Sequence, residues 1–215
     1  MTPNDHPLLS TFEAERCSAI LRTPHGDAVA PAMEAAVDGG FRIVEFTLNT
    51  PGALEHIATF AARDDLVVGA GTVLEVEDVD RAMDAGARFI VSPVADAAVI
   101  GRAVAKGALV VPGCFTPAEM LAAHRAGAHL IKLFPGPADG PQFLRACRGP
   151  MPFLRIFPTS GVTLDNVHDY LAAGAFGVGF VNCLFEADDL ASGNFDGIRS
   201  RAARMIQAVR AATEA

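Results

Sequence analysis

The sequence predicts an α/β chain closed into a single-domain (β/α)8 barrel, and three observations carry that expectation. A short phrase recurs along the chain: a helical run ending in glycine, an apolar strand, then a turn. Its copies are spaced by multiples of about 20–24 residues, the length of one helix, one buried strand and two short loops. Eight stretches read as strands, each followed by a helical pattern, and eight parallel strands close into a barrel.

The phrase is spelled "AAVDGGFRIVEFT", "RAMDAGARFIVSP", "RAVAKGALVVPG", "AHRAGAHLIKLFP" and "YLAAGAFGVGFV". In these copies Gly40, Gly86, Gly107, Gly127 and Gly174 stand where a helix C-terminus wants positive φ. Strands are expected near residues 17–22, 41–47, 66–69, 88–91, 109–111, 129–134, 154–157 and 176–180, after a short N-terminal helix. Thr116 reads as an N-cap, with Pro117 at the first helical position and Glu119 completing a capping box. Thr163 reads as the start of the helix "LDNVHDYL", and a last helix should run from about Gly197 to Ala212. An open doubly wound sheet is the rival architecture, but "GAGT" lacks the GxGxxG spacing and no acidic ribose partner follows it.

Composition agrees with one domain over residues 1–215. The chain is 51% hydrophobic and 20% charged, with mean hydropathy +0.30, which excludes disorder and suits elements buried on both faces. A net charge of −8 and a pI near 5.2 disfavour nucleic acid and anionic membranes as partners and leave small molecules. Cys17, Cys114, Cys147 and Cys183 form no CxxC pair and stand at no metal-ligand spacing, so they read as reduced thiols of a cytoplasmic protein. "MTPNDHPLLS" lacks a basic start and apolar run, and no stretch reaches the ~18 apolar residues a membrane helix needs, so neither export nor anchoring is expected.

Alternation along a strand sends successive side chains to opposite faces, so a charge inside a strand is informative. In "HLIKLF", Leu130, Lys132 and Phe134 should point into the barrel, with Ile131 and Leu133 toward the helices. In "FRIVEFT", Ile43, Glu45 and Thr47 should point inward, with Val44 and Phe46 outward. Both charges then share one cavity. Burial disfavours an ammonium, and a neutral amine is what attack on a ketone requires. Against 15 arginines the chain holds only Lys106 and Lys132, and Lys106 sits at an exposed helix end. The same pattern also fits a buried structural ion pair between Lys132 and Glu45.

Barrel enzymes place their sites at the C-terminal ends of the strands. There the chain offers Arg22, Asn49, Thr72, Ser92-Pro93, Gly113-Cys114, Thr159-Ser160-Gly161 and Gly179 to Asn182. The last two loops are where such barrels commonly hold phosphate, although short Gly/Ser turns are mostly just turns. Cys114 reads as a buried filler rather than a nucleophile, and His129 begins its strand at the end away from the site. Asp188, Asp189, Asp64 and Asp65 read as solvated turn residues.

Taken in order, "VEFTLNTPGALE", "GAGTVL", "FIVSP", "VPGCFTPAEM", "GAHLIKLFPG", "GPQFL" and "FPTSGVTLDN" resemble the class I aldolases for 2-keto-3-deoxy-6-phosphogluconate and 2-keto-3-deoxy-6-phosphogalactonate, over roughly residues 17 to 212. The resemblance implies a (β/α)8 TIM barrel, a homotrimer, and no metal or organic cofactor. It implies a lyase that cleaves a 2-keto-3-deoxy sugar acid, as its 6-phosphate, to pyruvate and an aldehyde such as glyceraldehyde 3-phosphate. By that likeness Lys132 forms the imine, Glu45 shuttles protons, Thr72 holds the carboxylate, and Pro93 and Phe134 line the pyruvate pocket.

The chain mixes the two branches. Asn49 stands where the gluconate branch has a carboxylate-gripping arginine, and Arg22 in "ILR" resembles the galactonate branch and could supply the missing fork. Thr159 resembles the gluconate branch. At the phosphate end the family's Gly-Gly becomes Ser160-Gly161, and its glycine turn after strand 8 becomes Phe180-Val181-Asn182. Those departures leave open an unphosphorylated 2-keto-3-deoxy acid or 4-hydroxy-2-oxoglutarate as substrate. A non-catalytic barrel that binds a keto acid or phosphate is the alternative from another class.

Overall fold

The computed structural model describes residues 5–214, so the first four residues of "MTPNDHPLLS" lie outside it. Among the described residues eight strands alternate with helices: β1 Cys17–Leu21, β2 Ile43–Thr47, β3 Val67–Gly71, β4 Phe89–Ser92, β5 Leu109–Cys114, β6 Ile131–Leu133, β7 Ile156–Pro158 and β8 Val178–Phe180. The helices are α1 Leu9–Glu15, α2 Val29–Asp38, α3 Ala53–Ala61, α4 Val76–Asp84, α5 Ala97–Ala105, α6 Pro117–Arg125, α7 Gly140–Arg148, α8 Val167–Ala172, α9 Ala187–Ser192 and α10 Phe195–Glu214.

All neighbouring strands pair in parallel, in the order β7-β6-β5-β4-β3-β2-β1-β8. The remaining seam, between β7 and β8, is joined at its lower end by Phe176 N–H donating to the Ile156 carbonyl at 2.8 Å. The chain is therefore a single-domain (β/α)8 TIM barrel, and the open sheet is ruled out. Each of the five expected glycines adopts positive φ, between 77° at Gly107 and 114° at Gly40. Thr116 accepts from Glu119 N–H at 3.2 Å and Glu119 Oε2 accepts from Thr116 N–H at 2.7 Å, completing the capping box.

Two apolar clusters divide the interior as the alternation requires. Val44, Phe46, Ile131, Leu133, Val178 and Phe180 pack between strands and helices. Ile43, Val67, Phe89, Leu109, Leu130 and Phe157 fill the barrel itself. Helix α1, with Leu8 just before it, stoppers the lower end through Leu8, Leu9 and Phe12; the Phe12 ring meets Phe89 at 5.3 Å and Phe157 at 5.9 Å in edge-on contacts. The apolar filling stops below the C-terminal rim, and that is the layer where Glu45 and Lys132 lie.

The structure corrects three local expectations. Helix α8 begins at Val167, because Thr163 N–H donates to the Asn166 side chain at 2.8 Å and the intervening residues form a turn. Gly113 and Cys114 belong to β5 rather than to the loop after it, and Cys114 packs in the helix-facing cluster. Asp189 is buried, not solvated: its carboxylate accepts from Arg201 and from Asn194, each at 2.7 Å.

Candidate active site

At the C-terminal rim a cavity of about 270 Å³ opens into the barrel. Arg22, Thr72, Pro93, Lys132, Phe134, Thr159, Ser160, Gly161 and Asn182 all line it. Asn49 does not; it is exposed on the loop after β2. Thr47, Val162, Thr163, Val181 and Cys183 complete most of the lining.

Lys132 sits on β6 opposite Gly113 of β5 and Phe157 of β7, and is 9% exposed. Its Nζ lies 5.1 Å from the centroid of the Phe134 ring, the next inward residue. Burial pushes its pKa down; nearby Glu45 opposes the shift and Arg22 reinforces it. Glu45, on β2 across the barrel, is 2% exposed, and its Oε1 has no hydrogen-bond partner. Burial raises its pKa, against the pull of Lys132 and Arg22. Desolvation therefore brings a basic amine and a carboxylic acid toward each other in proton affinity, the condition for moving protons between them and a bound molecule.

Two inward positions of β3 are glycines for steric reasons. A Cβ at Gly69 would overlap the Phe89 ring, and one at Gly71 would overlap Glu45 Oε1. The next residue, Thr72, takes φ 59°, a left-handed conformation that costs a β-branched residue about 1–2 kcal/mol. That strain aims a hydroxyl-bearing residue at the cavity floor, and such outliers cluster at sites where geometry is over-determined.

The rim is braced from behind. Thr47 Oγ1 donates to the Leu21 carbonyl at 3.3 Å and meets Thr50 Oγ1 at 3.0 Å, fixing the chain that carries Arg22. Asn166 Nδ2 donates to the Gly161 carbonyl at 2.8 Å, and Cys183 Sγ donates to the Val162 carbonyl at 3.0 Å. These bonds lock the loop after β7 to α8 and to the turn after β8. Gly71, Asn166 and Cys183 escaped the sequence reading because their roles exist only through contacts made in space. Gly71 left a trace as the second glycine of "GAGT", and Asn166 as the last residue of "FPTSGVTLDN".

Among the described residues no group of three or more His, Cys, Asp or Glu stands together as metal ligands. No helix among them is long and apolar enough to cross a membrane.

Residues 10–201 match the family described as "KDPG and KHG aldolase". The chain is 36% identical over 199 residues to the 2-dehydro-3-deoxy-6-phosphogalactonate aldolase of Escherichia coli strain K12, covering 91% of this chain and 95% of that protein. A solved structure described as native KDPGal superimposes with a TM-score of 0.85 at 35% identity, over 93% of this chain and 96% of the other. A third similar protein, the KDPG aldolase of Legionella pneumophila, was captured with pyruvate as a covalent carbinolamine intermediate; its TM-score is 0.81 at 25% identity, over 94% and 97% of the two chains.

Proposed function

The chain belongs to the KDPG and KHG aldolase family, and from that premise we propose that it is a class I aldolase acting on a 2-keto-3-deoxy-6-phospho sugar acid. It reversibly cleaves that acid to pyruvate and an aldehyde such as glyceraldehyde 3-phosphate. The observation that carries the reading is Lys132: a buried amine lining the cavity, its charged form disfavoured, with the buried Glu45 acting on it electrostatically from β2.

In the proposed sequence neutral Lys132 Nζ adds to the keto carbon, and loss of water leaves a protonated imine. The C4 hydroxyl gives its proton to Glu45, directly or through a water, as the C3–C4 bond breaks and its electron pair passes into the enamine. The aldehyde departs. Glu45 returns a proton to C3, and water then hydrolyses the pyruvate imine to release pyruvate and the free amine. Thr72 and Arg22 orient the carboxylate, the guanidinium supplying the fork absent at Asn49. Pro93 and Phe134 wall the methyl side of the keto acid. Thr159, Ser160, Gly161 and Asn182 meet the far end of the substrate, where backbone amides can receive the phosphate.

One observation favours a second reading. Val181, at the turn after β8, lines the same cavity as Ser160 and Gly161, and its branched side chain narrows the room for a phosphate. An unphosphorylated 2-keto-3-deoxy acid or 4-hydroxy-2-oxoglutarate would need no such room.

We also propose that the protein is a cytoplasmic homotrimer that needs no metal or organic cofactor. Leu74, Val94 and Phe115, all exposed on the loops after β3, β4 and β5, offer apolar surface for such an assembly, which light scattering can size. The deciding experiment for the chemistry is borohydride reduction in the presence of pyruvate, followed by peptide mass mapping. A reduced adduct on Lys132 is expected, and its absence removes the imine.

A further inference from the structure

We propose that the barrel carries a second anion site at its N-terminal end, opposite the catalytic cavity, where Arg16 and Arg148 hold the phosphoryl group of a small organic phosphate. Arg16 immediately precedes β1, and Arg148 ends α7. They meet around a groove of about 380 Å³, and no Asp or Glu is among the described residues that line it.

The groove is assembled on one short segment. Arg16 Nη2 donates to the Ala175 carbonyl at 3.1 Å. The guanidinium of Arg148 lies against Gly174, where a Cβ would come to 3.0 Å from Arg148 Cζ and overlap its Nη1. Two guanidinium groups are thus seated on consecutive residues, and glycine at position 174 makes the space for one of them. The Nε atoms of both arginines are buried and have no hydrogen-bond partner. Arg16 also holds φ 57°, an unusual conformation for a residue with a side chain.

This arrangement costs stability as it stands. Two buried N–H groups, the Nε of Arg16 and of Arg148, lack acceptors. The C-terminal end of α8, at Ala173, offers a partial charge of only about −0.5, less than one guanidinium needs. Carboxylates are plentiful in a chain of net charge −8, and other arginines use them: Arg63 pairs with Asp65, Arg102 with Asp80 and Arg201 with Asp189. Among the described residues that line the groove, none offers Arg16 or Arg148 a carboxylate. A phosphate, with several acceptor oxygens, matches the Nη donors of the two guanidinium groups and supplies the missing countercharge. Phe153, 50% exposed, and Phe176 form an apolar wall of the groove, suited to a ligand with a flat organic body such as a nucleoside monophosphate.

Phenylglyoxal modification of the intact protein, mapped by peptide mass, tests this with adenosine monophosphate, inorganic phosphate and succinate as probes. Adenosine monophosphate and phosphate should protect Arg16 and Arg148, and succinate should not. Arg16→Gln and Arg148→Gln should each weaken adenosine monophosphate binding about tenfold, the loss of one charge-assisted fork, with pyruvate trapping on Lys132 unchanged. Should either variant fail to fold, the mapping on the unaltered chain decides. Unprotected Arg16 and Arg148, protection confined to Arg22, or equal protection by succinate overturns the site.

Discussion

The Glu45 carboxylate occupies the space that a side chain at Gly71 would need. The pairing of β2 with β3 sets Thr47 beside Gly71, and Glu45, one inward position below, tips its carboxylate over the bare backbone of β3. Gly71→Ala should therefore push Glu45 out of place while leaving Lys132 untouched. Turnover should fall at least tenfold, toward the about 10²–10⁴-fold loss expected of Glu45→Gln if Glu45 is the proton carrier. Borohydride trapping of pyruvate should persist in both variants. Steady-state kinetics beside trapping yields separates the two steps.

Glu45 should also make stability depend on pH. Its pKa is raised in the fold from an ordinary 4.5, so its contribution to stability is intact below about 4.5 and is lost as pH climbs through the raised value. Glu45→Gln removes that loss. Thermal melts should show the variant gaining on the parent as pH rises from 5 to 8, and matching it near pH 4. A variant less stable than the parent at pH 8 would mean that the Lys132 charge outweighs the burial cost.

Thr72 stores strain that glycine would release. Thr72→Gly removes a left-handed penalty of about 1–2 kcal/mol and adds a glycine entropy cost of about 0.5–1 kcal/mol. Melting should show no loss of stability, whereas KM for pyruvate in the condensation direction should rise about tenfold or more. A variant with unchanged KM would remove Thr72 from carboxylate binding.

Arg22 should be needed as a fork. Arg22→Lys keeps the charge and loses the paired donors, so KM should rise about tenfold with kcat largely kept, and Arg22→Ala should cost more. Asn49→Ala should change neither, since Asn49 lies outside the cavity.

Val181→Gly tests which end of the substrate the rim reads. The KM for a 6-phosphorylated keto-deoxy acid should fall, while that for the unphosphorylated acid should stay the same. Equal effects on both would show that the turn after β8 does not meet the phosphate.

The barrel was legible because its signals are local. A glycine closing each helix and an apolar strand after it are written within a dozen residues, and Lys132 and Glu45 stood out because a charge breaks the rule of a buried strand. The misreadings came from side-chain contacts that the pattern of residue types does not announce. Asp189 looked like a solvated turn residue because its partner Arg201 lies on another helix. Thr163 looked like a cap, but the Asn166 side chain claims its N–H and delays the helix. Cys183 seemed inert, and its bond to the Val162 carbonyl could not be read from either neighbourhood. Arg22 was preferred to Asn49 on the resemblance alone, and of the two only Arg22 lines the cavity.

With Phe12 lodged against Phe89 and Phe157, the barrel is a flask with one neck. Traffic through a single neck has an order. Whatever bonds to Lys132 at the bottom enters before the aldehyde in the synthetic direction and leaves after it in cleavage, so the aldehyde should exchange freely while the keto acid waits beneath it.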